Sequence, residues 1–270
     1  MIATADSVSK YPTTKPNPIE TLQKTVSASR LSCWSQCRLK FFFRYVLQIQ
    51  KRKTASLHFG SVVHEVLKAW NMARWRKQAV ELDRFKTLFE KGWQDQSQID
   101  WDGEEEDQKK TAWGLLELYF KDTPIKPNEM PEAVEVPMET DLGKHGLPTL
   151  IGILDLVRAG GRIVDFKTAG KTPDKDHAEH LNETQLSCYS VLYREATGKK
   201  ESARELHHLI KTKQPKLVIT ELGPMTDSQQ VRLFRMIESY VEGVAREDFV
   251  PSPGMACLGC EYFNECRKWC

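Results

Sequence analysis

Two acidic residues and a lysine near the middle of the chain could carry chemistry together. The segment IGILDLVRAGGRIVDFKTA contains Asp155, Asp165 and Lys167 among mainly apolar residues. Because side chains alternate along a β-strand, Asp165 and Lys167 would share one face of their strand while Val164 and Phe166 point to the other. Such a pair is commonly only a surface ion pair, so this triplet by itself leaves both a structural and a catalytic role open.

A β-hairpin would bring the two aspartates together. Strand patterns at 148–158 and 162–167 flank a Gly-Gly turn signal that begins at Gly160. With the turn centred there, Asp155 lies directly opposite Asp165, at a Cβ separation of about 4.5–5.5 Å. Two carboxylates this close repel each other unless a cation lies between them, and Mg²⁺ or Mn²⁺ suits because hard cations prefer oxygen ligands. The lysine two positions further on faces the same point, where it could hold a phosphate.

Further motifs lie on either side of the hairpin. FGSVVHEVL, upstream, places a glycine four residues before His64, and QLSCYSVLY, downstream, places Gln185 and Tyr189 one helical turn apart on one face. Together with the Gly-x-x-Asp and Asp-x-Lys sequences of the hairpin, they resemble in order the motifs of RecB-type nucleases in the PD-(D/E)XK superfamily. The resemblance implies an α/β protein with a restriction-endonuclease-like core, in which helices flank a central mixed β-sheet.

The resemblance also implies roles for individual residues. One or two Mg²⁺ or Mn²⁺ ions would be bound by His64, Asp155, Asp165 and the backbone carbonyl of Phe166. The implied catalytic residues are Asp155, Asp165, Lys167, Gln185 and Tyr189. The last two would position the strand or the attacking water. Glu135, in the strand pattern before the hairpin, corresponds to a further acidic residue of some relatives, and we leave it outside the predicted set.

Seven cysteines form a second pattern. CLGCEYFNEC, near the end of the sequence, has the spacing C-x2-C-x5-C. Thiolates at such a spacing bind zinc or an iron–sulfur cluster, and either needs a fourth ligand. A set of disulfides is the structural alternative, but it fits poorly with a cytosolic chain.

The resemblance implies where the fourth ligand lies. RecB-type nucleases with an iron–sulfur staple, such as the AddB nuclease domain and the CRISPR-associated exonucleases, carry one cysteine in an N-terminal helix and three at the C-terminus. The implied ligands of a [4Fe-4S] cluster are Cys37, Cys257, Cys260 and Cys266. Cys33 is the reserve candidate for the N-terminal position, and zinc stays open as the alternative metal. Cys188 and Cys270 are interpreted as ordinary thiols.

The distribution of charge indicates a surface for a polyanion. Between Thr21 and His64 the sequence has no Asp or Glu but eight Lys or Arg residues. A basic stretch of this kind suits a nucleic-acid backbone, although a merely solvated face is the alternative. The predicted nucleic-acid contacts are Arg44, Lys51, Arg52 and Lys53.

The elements that must position these residues follow from hydrophobic periodicity. Helix patterns cover 27–48, 57–75, 81–97, 108–121, 178–197 and 226–246, and strand patterns cover 132–139, 148–158, 162–167, 205–212 and 216–222. A chain of 270 residues can bury one large core, so we predict a flexible tail at 1–26 and a single domain at 27–270.

No run approaches a membrane span of about 18 apolar residues, and no signal-peptide core is present, so we expect no membrane contact and a cytoplasmic location.

These patterns together predict a metal-dependent DNA exonuclease that acts on single strands or free ends. Recombination, repair or phage DNA processing is the expected setting, with a helicase or recombination protein as a candidate partner. The alternative is a nucleic-acid-binding or complex-forming module that keeps the fold without cutting. The presence of His64, Asp155, Asp165 and Lys167 argues against that alternative, because a decayed site usually lacks one of its residues.

Overall fold

The computed structural model describes residues 17–94, 99–126 and 128–269. Within these ranges, the centre of the molecule is a mixed sheet of six strands flanked by helices, which confirms the predicted fold class. The strands are β1 (Thr25–Val26), β2 (Ala133–Thr140), β3 (Thr149–Arg158), β4 (Arg162–Ala169), β5 (Ala203–Ile210) and β6 (Lys216–Leu222).

The helices surround this sheet. They are α1 (Pro18–Lys24), α2 (Ala28–Gln36), α3 (Arg38–Phe41), α4 (Ala55–Trp75), α5 (Leu82–Gln94), α6 (Glu105–Asp122), α7 (Lys175–Thr197), α8 (Asp227–Ala245) and α9 (Phe263–Cys266). A π-helical turn, Phe42–Val46, follows α3 directly. In the described part of the chain no helix is both long and apolar enough to cross a membrane.

The register of the central hairpin agrees with the sequence prediction. Strands β3 and β4 are antiparallel with Leu156 opposite Val164, an offset that sets Asp155 against Asp165 one step further on. The paired part of the hairpin ends at Leu156 and Val164. Beyond it, Leu150 of β3 pairs with β2 on one side and with β1 on the other. In this part of the sheet β1 therefore takes the position next to β3 that β4 has in the hairpin. The two aspartates therefore lie where the strands separate.

The rest of the sheet is built by a crossover and a second hairpin. Helix α7 connects β4 to β5, which run parallel, and β6 returns antiparallel to β5. An apolar cluster on one side of the sheet contains Trp34 and Leu192, and another on the opposite side contains Phe59. Ile163 and Val164 belong to different clusters, as the alternation of side chains along a strand requires.

Two sequence predictions near the N-terminus need correction. The helix predicted at 27–48 is broken at Cys37, whose extended backbone (φ −165°, ψ 115°) ends α2 and begins α3. The tail predicted at 1–26 is ordered from Asn17, whose side chain caps α1, and β1 joins the sheet. Leu22 is buried in the core, which explains why this stretch folds. Residues 1–16 of the predicted tail lie outside the described residues, and the single domain at 27–270 stays a prediction.

Candidate active site

A histidine and two carboxylates converge above strands β2 and β3. The Nε2 atom of His64 lies 2.9 Å from Asp155 Oδ2, and its Nδ1 atom lies 3.4 Å from Glu135 Oε1. One ligand atom from each of these three residues lies within 4.8 Å of the others. An imidazole nitrogen with carboxylate oxygens is a donor set that Mg²⁺ and Mn²⁺ accept, so the group fits a divalent ion.

The sheet register explains why Glu135 belongs to this group. Val134 pairs with Leu156 and Val136 pairs with Leu154, so the intervening Glu135 lies opposite Asp155. Glu135 has a left-handed backbone, with φ at +50°. A conformation of this kind is uncommon for a residue other than glycine and is found preferentially at functional sites.

The two carboxylates change the proton affinity of His64. Burial disfavours its charged form, but hydrogen bonds to Asp155 and Glu135 and the charges of both outweigh burial and raise the pKa of His64 to about 10. A protonated His64 therefore carries a positive charge that attracts both carboxylates.

A second group lies beside the first and is organised by Gln185. Its Nε2 atom donates to Asp165 Oδ1 and to Tyr189 Oη, both over 2.8 Å. Its Oε1 atom accepts a hydrogen bond of 2.7 Å from Lys167 Nζ. The amide of Gln185 is therefore oriented by a carboxylate on one side and an ammonium group on the other.

Asp165 is fully buried between these partners. Burial raises the pKa of Asp165 to about 6, although the neighbouring Lys167 opposes the shift. Lys167 Nζ lies 2.9 Å from Asp165 Oδ2, so the buried carboxylate is paired with an ammonium group.

Backbone contacts connect the two groups. The amide of Phe166 donates a hydrogen bond of 3.1 Å to Asp155 Oδ2. Asp155 is thus held by the strand that carries Asp165 and Lys167. The structure brings the predicted ligands His64 and Asp155 together with Glu135, whereas Asp165 lies with the lysine and the glutamine.

Two glycines let the surrounding helices approach the sheet. A Cβ atom on Gly60 would lie 3.2 Å from Thr168 Oγ1, so the glycine of the upstream motif lets α4 lie close to β4. A Cβ atom on Gly152 would lie 2.7 Å from Leu192 Cδ1, so the glycine of β3 makes room for α7. These close approaches bring His64 on α4 and the candidate residues on α7 to the same part of the sheet.

An open cleft of about 890 Å³ leads to the site. Asp155 and Gln185 lie in it, Pro137 and Ile153 line its sheet side, and residues 27–29 at the start of α2 form part of its wall. The candidate residues that line it are Glu135 on β2, Asp155 on β3, and Gln185 and Tyr189 on α7.

Sequence reasoning left out one residue of the site, Glu135. The only local indication of its role is an acidic residue within AVEVPMET, a strand that also contains Glu139. The strand's offset against β3 depends on the connection at 141–148, whose conformation the sequence pattern does not reveal. The local signal therefore could not select this glutamate over the others nearby.

The four cysteines of the predicted staple lie around one small cavity. The residues concerned are Cys37, Cys257, Cys260 and Cys266, and the cavity measures about 50 Å³. Cys33 lies instead in the apolar core, where burial raises the pKa of its thiol to about 11. Cys188 is also buried, and Cys270 lies outside the described residues. All six described cysteines are free thiols.

The predicted nucleic-acid contacts have different surroundings. Arg44 is exposed, with its guanidinium 5.5 Å from the centre of the Tyr45 ring. Lys51 forms an ion pair of 2.6 Å with Glu265, so its charge is already neutralised. Arg52 and Lys53 are exposed in the segment that precedes α4.

Comparison with known proteins agrees with this geometry. Residues 25–267 match the sequence profile of the PD-(D/E)XK nuclease superfamily, and the chain belongs to that superfamily. Its sheet therefore has the restriction-endonuclease-like architecture, and its class acts on nucleic-acid phosphodiester bonds, generally with divalent metals.

A solved structure with a TM-score of 0.62 shares the fold. The chain is similar to the crystal structure of a protein from Eubacterium rectale described as a candidate exonuclease, with 17% identity and a TM-score of 0.62 over 98% of this chain and 94% of that one. It is also similar to the protein SSO0001, with 13% identity and a TM-score of 0.35 over 92% of this chain and 94% of the other. No curated protein matches the chain by sequence.

Proposed function

We propose that the protein is a metal-dependent DNA exonuclease of the RecB type that acts on single strands or on DNA ends. The observation that carries this proposal is the convergence of His64, Glu135 and Asp155, with Asp155 held by the strand that bears Asp165 and Lys167. DNA processing in recombination, repair or phage replication is the proposed setting, with a helicase or recombination protein delivering the strand.

The donor set supports Mg²⁺ or Mn²⁺ as the cofactor. His64, Glu135 and Asp155 would hold the ion, and Asp165 and the backbone carbonyl of Phe166 are proposed as further ligands. When bound, the ion would stabilise negative charge on the phosphate and favour ionisation of the attacking water.

Lys167 contributes a positive charge fixed in place. Its ammonium group is held between Asp165 Oδ2 and Gln185 Oε1, and its side chain is about one third exposed toward solvent. An ammonium group held in this way can bind a non-bridging oxygen of the scissile phosphate without reorganising during the reaction.

Gln185 and Tyr189 serve to position groups. The amide of Gln185 is engaged with Asp165 and Lys167, so it fixes the carboxylate and the ammonium group relative to each other. The hydroxyl of Tyr189 accepts from that amide and faces the cleft, where its own proton is available to the strand or to the water. Burial raises the pKa of Tyr189, so the hydroxyl stays protonated.

The four cysteines support an iron–sulfur staple as part of the proposal. All four cysteines line one cavity. Thiolates in such a group bind zinc or an iron–sulfur cluster. Cys37, Cys257, Cys260 and Cys266 would hold a [4Fe-4S] cluster there, with zinc as the alternative metal.

The cleavage assay should use single-stranded oligonucleotides labelled at one end or the other, with circular single- and double-stranded DNA beside them. We expect Mg²⁺-dependent shortening of the linear strands that EDTA abolishes, and no cleavage of the circles. Binding of all these substrates without cleavage under Mg²⁺ and Mn²⁺ would instead support the alternative, a non-cleaving nucleic-acid-binding module. A matching set of RNA strands would decide between DNA and RNA as the substrate.

A further inference from the structure

A separate basic cavity lies near the first turn of α2. It has a volume of about 470 Å³, and the side chains relevant here are Arg30, Arg44, Tyr45, Gln48 and Gln50. We call it the Arg30–Arg44 pocket. No carboxylate is among the residues that line it. A cavity with two guanidinium groups and no acidic residue is suited to an anion.

The two arginines are held in place but keep their charge available. Arg30 donates through Nη1 to the carbonyl and the hydroxyl of Thr25, over 3.0 and 2.8 Å. Arg44 lies over the Tyr45 ring. In the described part of the chain neither arginine forms an ion pair, whereas Lys51 from the same basic segment is paired with Glu265. Preorganised guanidinium groups bind phosphate with geometric specificity.

An unusual stretch of backbone forms one side of this pocket. Arg44 and Tyr45 belong to the π-helical turn, which ends with hydrogen bonds from Leu47 to Phe42 and from Ile49 to Phe43. Gln48, which follows, has φ at +52°. Single π-turns are found frequently at functional sites, and a left-handed backbone is uncommon at a residue other than glycine. The local conformation is thus one that a functional constraint would explain.

The pocket is close to the catalytic cleft. Residues 27–29 line the cleft, and Arg30, the next residue along α2, lines the pocket. Consecutive residues at the start of α2 therefore line the two spaces. A strand that leaves the cleft over the start of α2 would reach the two arginines after passing beyond the scissile phosphate.

We propose that the Arg30–Arg44 pocket binds a phosphate of the substrate strand, with its unpaired nucleotide, at a distance from the scissile bond. This inference rests on the proposed nuclease function and adds to it the path of the strand. Arg30 and Arg44 hold the phosphate, and the amides of Gln48 and Gln50 can hydrogen-bond the edge of an unpaired base. A paired base would not present that edge, so the pocket selects single-stranded nucleic acid.

The test measures binding without cleavage. Single-stranded oligonucleotides of about 2 to 12 nucleotides would be titrated against the full chain carrying Asp165→Asn, with and without the double substitution Arg30→Gln and Arg44→Gln. We expect the double substitution to weaken binding about tenfold or more for the longer strands, with a smaller loss for the shortest. About 0.7 is lost from the log–log salt slope for each single-strand phosphate that is no longer neutralised, and the two arginines share one phosphate, so the slope should fall by about 0.7.

Matched controls make the result specific. Arg235→Gln removes an exposed arginine on α8, far from the pocket in sequence, and should leave affinity and salt slope unchanged. Strands with a 5′-phosphate, a 3′-phosphate or neither distinguish a terminal phosphate from an internal phosphodiester as the group bound. Unchanged affinity and slope in a folded double variant, across all lengths, would overturn the proposal. If the double variant binds with unchanged affinity and the unsubstituted protein cleaves DNA, the pocket proposal alone is rejected. If the double substitution weakens binding in a length-dependent way but the unsubstituted protein does not cleave, the nuclease function alone is rejected.

Discussion

Asp155 accepts a hydrogen bond of 3.1 Å from the backbone amide of Phe166, across the point where β3 and β4 separate. The amide is a rigid part of the strand that carries Asp165 and Lys167 on either side of it. One carboxylate of the candidate metal group is therefore fixed to the strand that bears the candidate phosphate contact. The two halves of the site cannot shift independently, which is a condition for holding a phosphate between them.

The first prediction concerns the two aspartates of the hairpin. Asp155→Asn and Asp165→Asn should each reduce cleavage by several orders of magnitude while DNA binding is largely kept, since they remove ligand charge with little change in volume. Single-turnover cleavage and binding titrations measure the two effects. Asp176→Asn, at an exposed position at the start of α7, serves as the control. Substantial Mg²⁺-dependent activity in purified Asp165→Asn would refute the assignment.

The second prediction concerns Glu135, which the structure adds to the site. Glu135→Gln should raise the Mg²⁺ or Mn²⁺ concentration needed for half-maximal cleavage by about tenfold or more, because one anionic ligand is lost. Glu139→Gln on the same strand is the matched control and should leave the metal requirement unchanged. An identical metal requirement in both variants would remove Glu135 from the ligand set.

The third prediction separates two roles of Lys167. If its ammonium group binds the scissile phosphate, Lys167→Ala should lower the turnover rate by about 10²-fold or more and change metal affinity little. A purely structural ion pair with Asp165 would instead appear as a lower melting temperature with turnover retained. Cleavage rates at saturating metal, measured beside thermal unfolding, distinguish the two roles.

The fourth prediction concerns the cysteine staple. Cys37 and Cys257 lie far apart in the sequence, so a centre between them closes most of the chain, and its loss should cost stability as well as the metal. Anaerobically purified protein should be brown, with equal amounts of iron and sulfide, and Cys37→Ser or Cys260→Ser should be colourless and less stable. Cys188→Ser, at a buried thiol away from the cavity, should keep its iron.

Elemental analysis decides between the alternatives for this staple. Stoichiometric zinc without iron would replace the cluster by a zinc site. Absence of both metals, with unchanged stability in Cys37→Ser, would show that the thiols hold no metal centre.

The fifth prediction follows from a buried charge network. Burial disfavours ionised Glu205, but hydrogen bonds from His207 and Arg162 outweigh burial and lower its pKa to about 2. Since this folded-state pKa lies below the value of about 4.3 in an unfolded chain, Glu205 stabilises the protein above pH 4.3 and loses that effect as the pH falls from there toward 2.

Glu205→Gln tests this pH dependence. At pH 7 it should destabilise the protein by about 3–5 kcal/mol, because Arg158 and Arg162 lose a shared partner in a buried setting. Its melting temperature should also fall less steeply than that of the parent below pH 4.3. Parallel curves for the two proteins throughout the acid range would contradict the assigned role of Glu205.

Local patterns in the sequence were enough to identify much of the site. The Gly-Gly turn sets the register of Asp155 against Asp165, because a short hairpin connection leaves few ways to pair its strands. Helical spacing places Gln185 and Tyr189 on one face of α7, and their contact over 2.8 Å is a direct consequence. These relationships depend on residues close together in the chain, so the pattern of residue types determines them.

Tertiary structure decided what depends on distant segments. Glu135 lies close to His64 because core packing fixes both the register of β2 against β3 and the position of α4 over the sheet. The break at Cys37, inside a helix-favouring sequence, turns that residue toward a cavity shared with the C-terminal cysteines. Lys51 is neutralised by Glu265 from the other end of the chain. Contacts between such distant residues depend on how all the elements pack at once, which local propensity and periodicity do not encode.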